Sequence, residues 1–183
     1  YELLEIWNEF RIVHLNLSVD AFGNLNEYIR KNVHWEKFES HCETLINHPK
    51  TLVTFQTTVG ALNVLNLPQL YAWTHKMTRN KKDPFGNPLS RLPKHIFMWS
   101  PLWLTIDILP TSLKERAYKK LILYFISIRH EDPLSLENQK SILNFLKSSI
   151  EKDQDIESFK AFKAILPWFE EQRGQDPIHN LVP

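Results

Sequence analysis

Two segments of the chain alternate apolar and polar positions, while most of the remainder repeats apolar positions at helical spacing. In "RIVHLNLSVD" (11–20), Val13, Leu15, Leu17 and Val19 form one set; Ile12, His14, Asn16, Ser18 and Asp20 form the other. In "TLVTFQTTVGAL" (51–62), Val53, Phe55, Thr57 and Val59 oppose Thr54, Gln56 and Thr58. A period of two marks a strand with two unlike faces, so strands are expected over 12–19 and 51–62. "HIFMWS" (95–100) reads as a third, shorter strand.

Helical spacing is expected over 2–10 (Leu3, Leu4, Ile6, Trp7, Phe10), over 34–47 (Trp35, Phe38, Cys42, Leu45, Ile46) and over 67–77, where Pro68 stands in the first turn. "AFGNLN" reads as a turn and 78–94 as a long Pro/Gly/Lys loop. "PLWLTIDILP" is an irregular apolar stretch. From Thr111 the character changes to helices: one opened by Thr111 or Ser112 with Glu115 close to a capping box, one with Ser135 as a weaker cap, and a tail ended by Gly174.

Alternation of strand and helix implies parallel strands joined by right-handed crossovers. In a doubly wound sheet both strand faces are covered and the strands read as continuous apolar runs. Here each strand has a polar face, which suits a barrel whose outer face packs on helices and whose inner face lines a lumen. Burying His14, Asn16, Ser18, Asp20, Gln56 and Thr58 unpaired would cost about 1–3 kcal/mol each, so a polar ligand or water is expected there. The competing reading is a sheet with that face in solvent.

Composition narrows the function classes. With 183 residues, 43% hydrophobic and 23% charged, the chain fits a single soluble globular domain. A net charge of +1 gives no bulk electrostatic case for nucleic acid, and Arg79, Lys81 and Lys82 read as a solvated loop. No apolar run approaches the ~20 residues of a membrane span, the first ten residues lack a basic signal-like start, and a cytoplasmic location is expected. The start without Met, in what reads as mid-helix, suggests a processed or excised piece. The single cysteine, Cys42, lies on an apolar helix face and can neither form an internal disulfide nor hold a cluster unaided.

The stretch "LNLSVDAFGNLNEYIR…WEKFESHCETLINHPKTLVTFQTTVGALNVLNLPQLYAW" resembles the second half of a radical S-adenosylmethionine (radical SAM) domain of the type that carries a twitch extension. "HIFMWSPLWLTIDILPTSLK" resembles that family's sixth-strand region and "EQRGQDPIHNLVP" its Arg-Gly tail. The Ser18–Arg30 element is the most specific of these dispersed motifs. The resemblance implies the C-terminal half of a partial (β/α)6 barrel over 1–110, followed by a helical C-terminal extension over 111–183. It further implies S-adenosylmethionine (SAM) as a cofactor, contacted by Ser18 at its ribose or amino-acid part and by Arg30 at its carboxylate. A guanidinium grips a carboxylate in a fork that Lys cannot copy. Asp20, Thr58 and Asn63 complete the expected cofactor-binding set, with Asn66 as an alternative to Asn63; His14 and Asn16 would lie deeper, towards substrate.

Each of these residues also has an ordinary reading. Ser18 could cap the turn at 24–26, Asp20 could form an Asx-turn with Phe22, Arg30 could pair with Glu27, and Asn63 or Asn66 could be turn or cap residues. Trp35, Trp73, Trp99 and Trp103 are expected in the core. A hydrolase dyad of Asp20 and His14 is excluded, because six residues along one strand separate them by roughly 20 Å.

The chain departs from the family in lacking the CxxxCxxC loop that holds the [4Fe–4S] cluster, a Gly-Gly-Glu strand motif and the cysteines of a twitch cluster. The expectation is therefore part of a longer enzyme whose cluster ligands lie outside this chain, or a degenerate relative; alone, the chain would be inert. The complete enzyme would cleave SAM reductively to a 5′-deoxyadenosyl radical, drawing on an electron donor and acting on a peptide or small molecule. The rival reading is a non-catalytic α/β interaction module that works through its helical tail.

Overall fold

The computed structural model of the protein describes residues 2–90, 92–128, 136–175, 177 and 178. The elements follow in the order α1 (Glu2–Trp7), β1 (Val13–Ser18), α2 (Asn24–Ile29), α3 (Trp35–Asn47), β2 (Thr51–Val59), α4 (Leu67–Thr78) and β3 (Lys94–Phe97). Two 3-10 turns, Leu102–Leu104 and Ile106–Ile108, lead into α5 (Thr111–Ile128), α6 (Leu136–Ile150) and α7 (Ile156–Arg173). The protein is thus of the α/β class.

The three strands form one parallel sheet in the order β1-β2-β3. Val13 stands opposite Thr51 and Ser18 opposite Gln56; on the other side, Gln56 stands opposite Lys94 and Val59 opposite Phe97. The apolar set of each strand faces the helices. Val53, Phe55 and Val59 are buried, and Leu15 and Leu17 pack against the same core. Trp73 of α4 anchors this layer, with its ring 4.9 Å from Trp35, 5.3 Å from Phe55 and 6.0 Å from Phe38.

One cluster of buried side chains continues from the sheet into Ala117, Leu121 and Phe125 of α5 and Ile142 and Leu146 of α6. Phe97 stacks on Phe145, with ring centroids 3.9 Å apart. The extension that starts at Thr111 therefore shares its apolar core with the sheet. Lys114 is fully buried at this junction, where its Nζ donates to the main-chain oxygen of Ser149 at 2.8 Å. Asp155 caps α7 by accepting from the Ser158 N–H, and Gly174 ends that helix at φ 61°, a left-handed conformation suited to glycine.

The structure corrects the sequence reading in several places. "AFGNLN" is not only a turn: Gly23, at φ 67°, starts the six-residue helix α2. The N-terminal helix ends at Trp7, which leaves Phe10 outside it and exposed. Thr111 and Ser112 lie within the first turn of α5, and the Pro110 carbonyl accepts from the N–H groups of Leu113 and Lys114. Trp99 is 80% exposed, so it is not a core residue. Ser135, the expected cap of α6, and the last residues of the Arg-Gly tail lie outside the described residues.

The largest difference concerns the polar strand faces, which do not line an enclosed lumen. His14, Asn16 and Ser18 are exposed and Thr54, Gln56 and Thr58 are half-buried. Among the described residues the helices pack on the apolar side of the sheet, and the other side is open. In this chain the solvent-facing alternative therefore describes the sheet.

Candidate functional site

The carboxyl ends of β1 and β2 carry an extended polar network. Asp20 follows the end of β1 and is buried, and each of its polar groups has a partner. Its Oδ2 accepts from Arg30 Nε at 2.8 Å and its Oδ1 from the Thr58 N–H at 2.8 Å. Its own N–H donates to Asn26 Oδ1 at 3.0 Å, and its carbonyl accepts from Asn63 Nδ2 at 2.6 Å.

Asn63 joins the two strand ends. Its Nδ2 also donates to the Thr58 carbonyl at 2.8 Å, while its Oδ1 accepts from the Gly60 N–H at 2.8 Å. Gly60 fits because it has no side chain: a Cβ there would stand 2.7 Å from the main-chain oxygen of Leu104. That oxygen accepts from the Ala61 N–H at 2.8 Å, which fixes the loop after β3 over the end of β2.

The five expected residues are thus brought to one end of the sheet, in different states. Asp20 and Asn63 are buried and saturated with hydrogen bonds. Arg30, at the end of α2, pairs with Asp20 and not with Glu27; its side chain is 34% exposed. Thr58 contributes its main-chain groups to the network, and Ser18 is exposed on the open face. Asp20 does not accept from Phe22, whose N–H donates instead to Asn66 Oδ1 at 2.7 Å.

Two members of the network were absent from the expected set. Asn26 is fully buried and gathers the N–H groups of Asp20 and Ala21 on its Oδ1, leaving its Nδ2 without a partner. Gly60 is the other. The signal for Asn26 was the run "GNLN", where an Asn side chain readily takes main-chain hydrogen bonds; nothing in the sequence showed that it would reach back to Asp20.

A cavity of about 70 Å³ adjoins the network, between Asp20, Ile29, Thr58, Asn63 and Met98. Small-molecule pockets hold roughly 300–1,000 Å³, so this cavity is too small to enclose such a ligand, and an open sheet face lies beside it. That face presents rows of side chains across the sheet: Asn16 beside Thr54, Gln56 between Ser18 and Lys94, and Thr58 beside Ile96. Asn16 Nδ2 donates to Gln56 Oε1 at 2.6 Å, so the face is partly organised without a ligand.

Metal ligation finds no support in the residues present. Among the described residues, no group of three or more His, Cys, Asp or Glu side chains could hold a metal ion. Cys42 is buried, and its burial, with Glu39 nearby, pushes the thiol up to about 12, away from the thiolate a metal requires. No helix among the described residues is long and apolar enough to cross a membrane. No protein-family model, curated protein or solved structure matches the chain, so its geometry carries the functional reading.

Proposed function

We propose that this chain is the SAM-binding half of a radical SAM enzyme, built on the C-terminal part of a partial barrel. One observation supports the reading above the others: Ser18, Asp20, Arg30, Thr58 and Asn63 converge at the carboxyl ends of adjacent parallel strands, beside an open polar sheet face. In open parallel sheets and barrels, ligands bind at that end. The polar faces that are costly in a closed core are useful here, because they offer donors and acceptors to a polar ligand.

The [4Fe–4S] cluster of such an enzyme does not fit this chain. Cluster ligation takes several thiolates, and the chain has one cysteine, which is buried and protonated. The ligands would come from residues outside the chain. In radical SAM enzymes the cofactors supply the hard chemistry; the residues described would bind and orient SAM. A peptide or small-molecule substrate and an electron donor would complete the system.

The test is anaerobic reconstitution, with iron and sulfide, of the complete polypeptide that contains this chain. The expected result is [4Fe–4S] absorbance together with release of 5′-deoxyadenosine and methionine from SAM under reducing conditions. Failure to assemble a cluster overturns the reading.

A second reading, an interaction module, is favoured by α7, which has no buried residue and exposes Ile156 and Trp168. It requires that substituting Ser18 and Arg30 leave function intact, while surface changes over 135–165 abolish it.

A further inference from the structure

The Arg30 guanidinium meets Asp20 through Nε alone. Arginine offers five N–H donors in a planar fork, and a carboxylate pairs with it either along its side, through Nε and one terminal nitrogen, or end-on, through both terminal nitrogens. Here the bond at 2.8 Å is to Nε, and neither terminal nitrogen has a partner among the described residues. The Asp20 side chain is 10% exposed and the Arg30 side chain 34% exposed. Asp20 thus holds the guanidinium at Nε, and Arg30 is the more exposed partner of the pair.

Asp20 is also poorly suited to touch a ligand itself. Both its carboxylate oxygens are occupied, one by Arg30 and one by the Thr58 N–H, and its main-chain N–H and carbonyl are held by Asn26 and Asn63. These four bonds come from two segments, α2 with its C-terminal end (Asn26, Arg30) and the end of β2 with the loop after it (Thr58, Asn63). They fix the carboxylate relative to both strand ends, and through it they fix the guanidinium.

We propose that Asp20 is a positioning residue: it grips Arg30 at Nε and thereby turns the two terminal nitrogens outward to receive the ligand's carboxylate end-on. The proposal rests on the SAM reading for the identity of that carboxylate. It reassigns Asp20 from cofactor contact to the residue that orients the contact. A preoriented fork loses less side-chain freedom on binding than a mobile one.

The test uses the complete polypeptide that contains this chain, reconstituted anaerobically, and two ligands, SAM and decarboxylated SAM, which lacks the carboxylate. Wild type is expected to bind SAM at least tenfold more tightly, as a charge-assisted hydrogen-bonded pair provides. Asp20→Asn is expected to weaken SAM binding about tenfold while leaving decarboxylated SAM unchanged, and Arg30→Gln to abolish the preference. A purely structural role for Asp20 would weaken both ligands alike, and that result overturns the proposal.

A second measurement separates this proposal from the SAM reading. In NMR spectra of the arginine side chains, acetate serves as a bare carboxylate probe. It is expected to shift the terminal N–H signals of Arg30 in wild type, leave its Nε–H signal in place, and lose this effect in Asp20→Asn. If wild type binds neither SAM compound, the SAM reading fails and the acetate titration decides the role of Asp20. Equal acetate responses in wild type and Asp20→Asn, or none in either, overturn it.

Discussion

The side-chain amide of Asn63 donates to the main-chain oxygen of Asp20 at 2.6 Å, across the ends of two neighbouring strands. The same nitrogen reaches the Thr58 carbonyl, and the Asn63 oxygen takes the Gly60 N–H, so one buried side chain satisfies three main-chain groups. Asn63→Ala leaves those groups without partners, at about 1–3 kcal/mol for each that water cannot reach. A loss of about 2–4 kcal/mol in urea unfolding is expected. Asn63→Asp should be no better, because a carboxylate cannot donate to the two carbonyls.

The Tyr71 hydroxyl lies 2.6 Å from His95 Nε2 on the helix-covered side of the sheet. Burial pushes the His95 imidazole down from 6.5 to about 4. Between those values the unfolded chain binds a proton that the folded protein refuses. The stability is therefore fully present above about pH 6.5 and is lost as the pH falls towards 4, amounting to about 3 kcal/mol. Urea midpoints measured from pH 7.5 to 4.5 should fall less steeply for His95→Gln than for wild type; identical slopes would contradict this assignment.

Lys114 sits at the junction between the sheet and the helical extension. Its burial lowers its pKa, against the opposing pull of Asp107. Ser149 receives its ammonium and in turn donates to Asp107 at 2.5 Å, so α5, α6 and the turn before them meet at one point. Lys114→Ala removes both the packed stem and the hydrogen bond and should cost about 2–4 kcal/mol. Lys114→Met keeps the stem and should cost about half of that, read from thermal unfolding.

Substitutions on the open sheet face should behave differently. Asn16 and Gln56 bond to each other, but Asn16 is exposed and Gln56 half-buried. Asn16→Ala and Gln56→Ala should change stability by no more than about 0.5 kcal/mol each. If the face binds the ligand, the same changes weaken SAM binding in the complete polypeptide that contains this chain. Unchanged binding would separate the face from the site.

Much of the fold was legible because periodicity reports which face of an element is buried. Alternation of Val53, Phe55 and Val59 with Thr54, Gln56 and Thr58 gave β2 and its two faces, and the apolar spacing of Trp35, Cys42 and Ile46 gave α3. Gly174 marked the end of α7 because the helix closes through a left-handed residue. The six residues of α2 escaped, because so short a helix is held by tertiary contacts and not by its own propensity: Leu25 and Tyr28 pack with Ala21 against Leu62 and Leu166.

The sequence by itself determined that strands alternate with helices and that each long strand has one polar face. Local pattern can carry that much, since side-chain direction follows from the backbone repeat. Only the tertiary structure decided what the residues do to one another. Arg30 chose Asp20 over the nearby Glu27, Asn63 turned inward to main-chain oxygens, and the polar face stayed open. Those outcomes depend on how the parallel strand ends come together in space, which residue spacing alone does not specify.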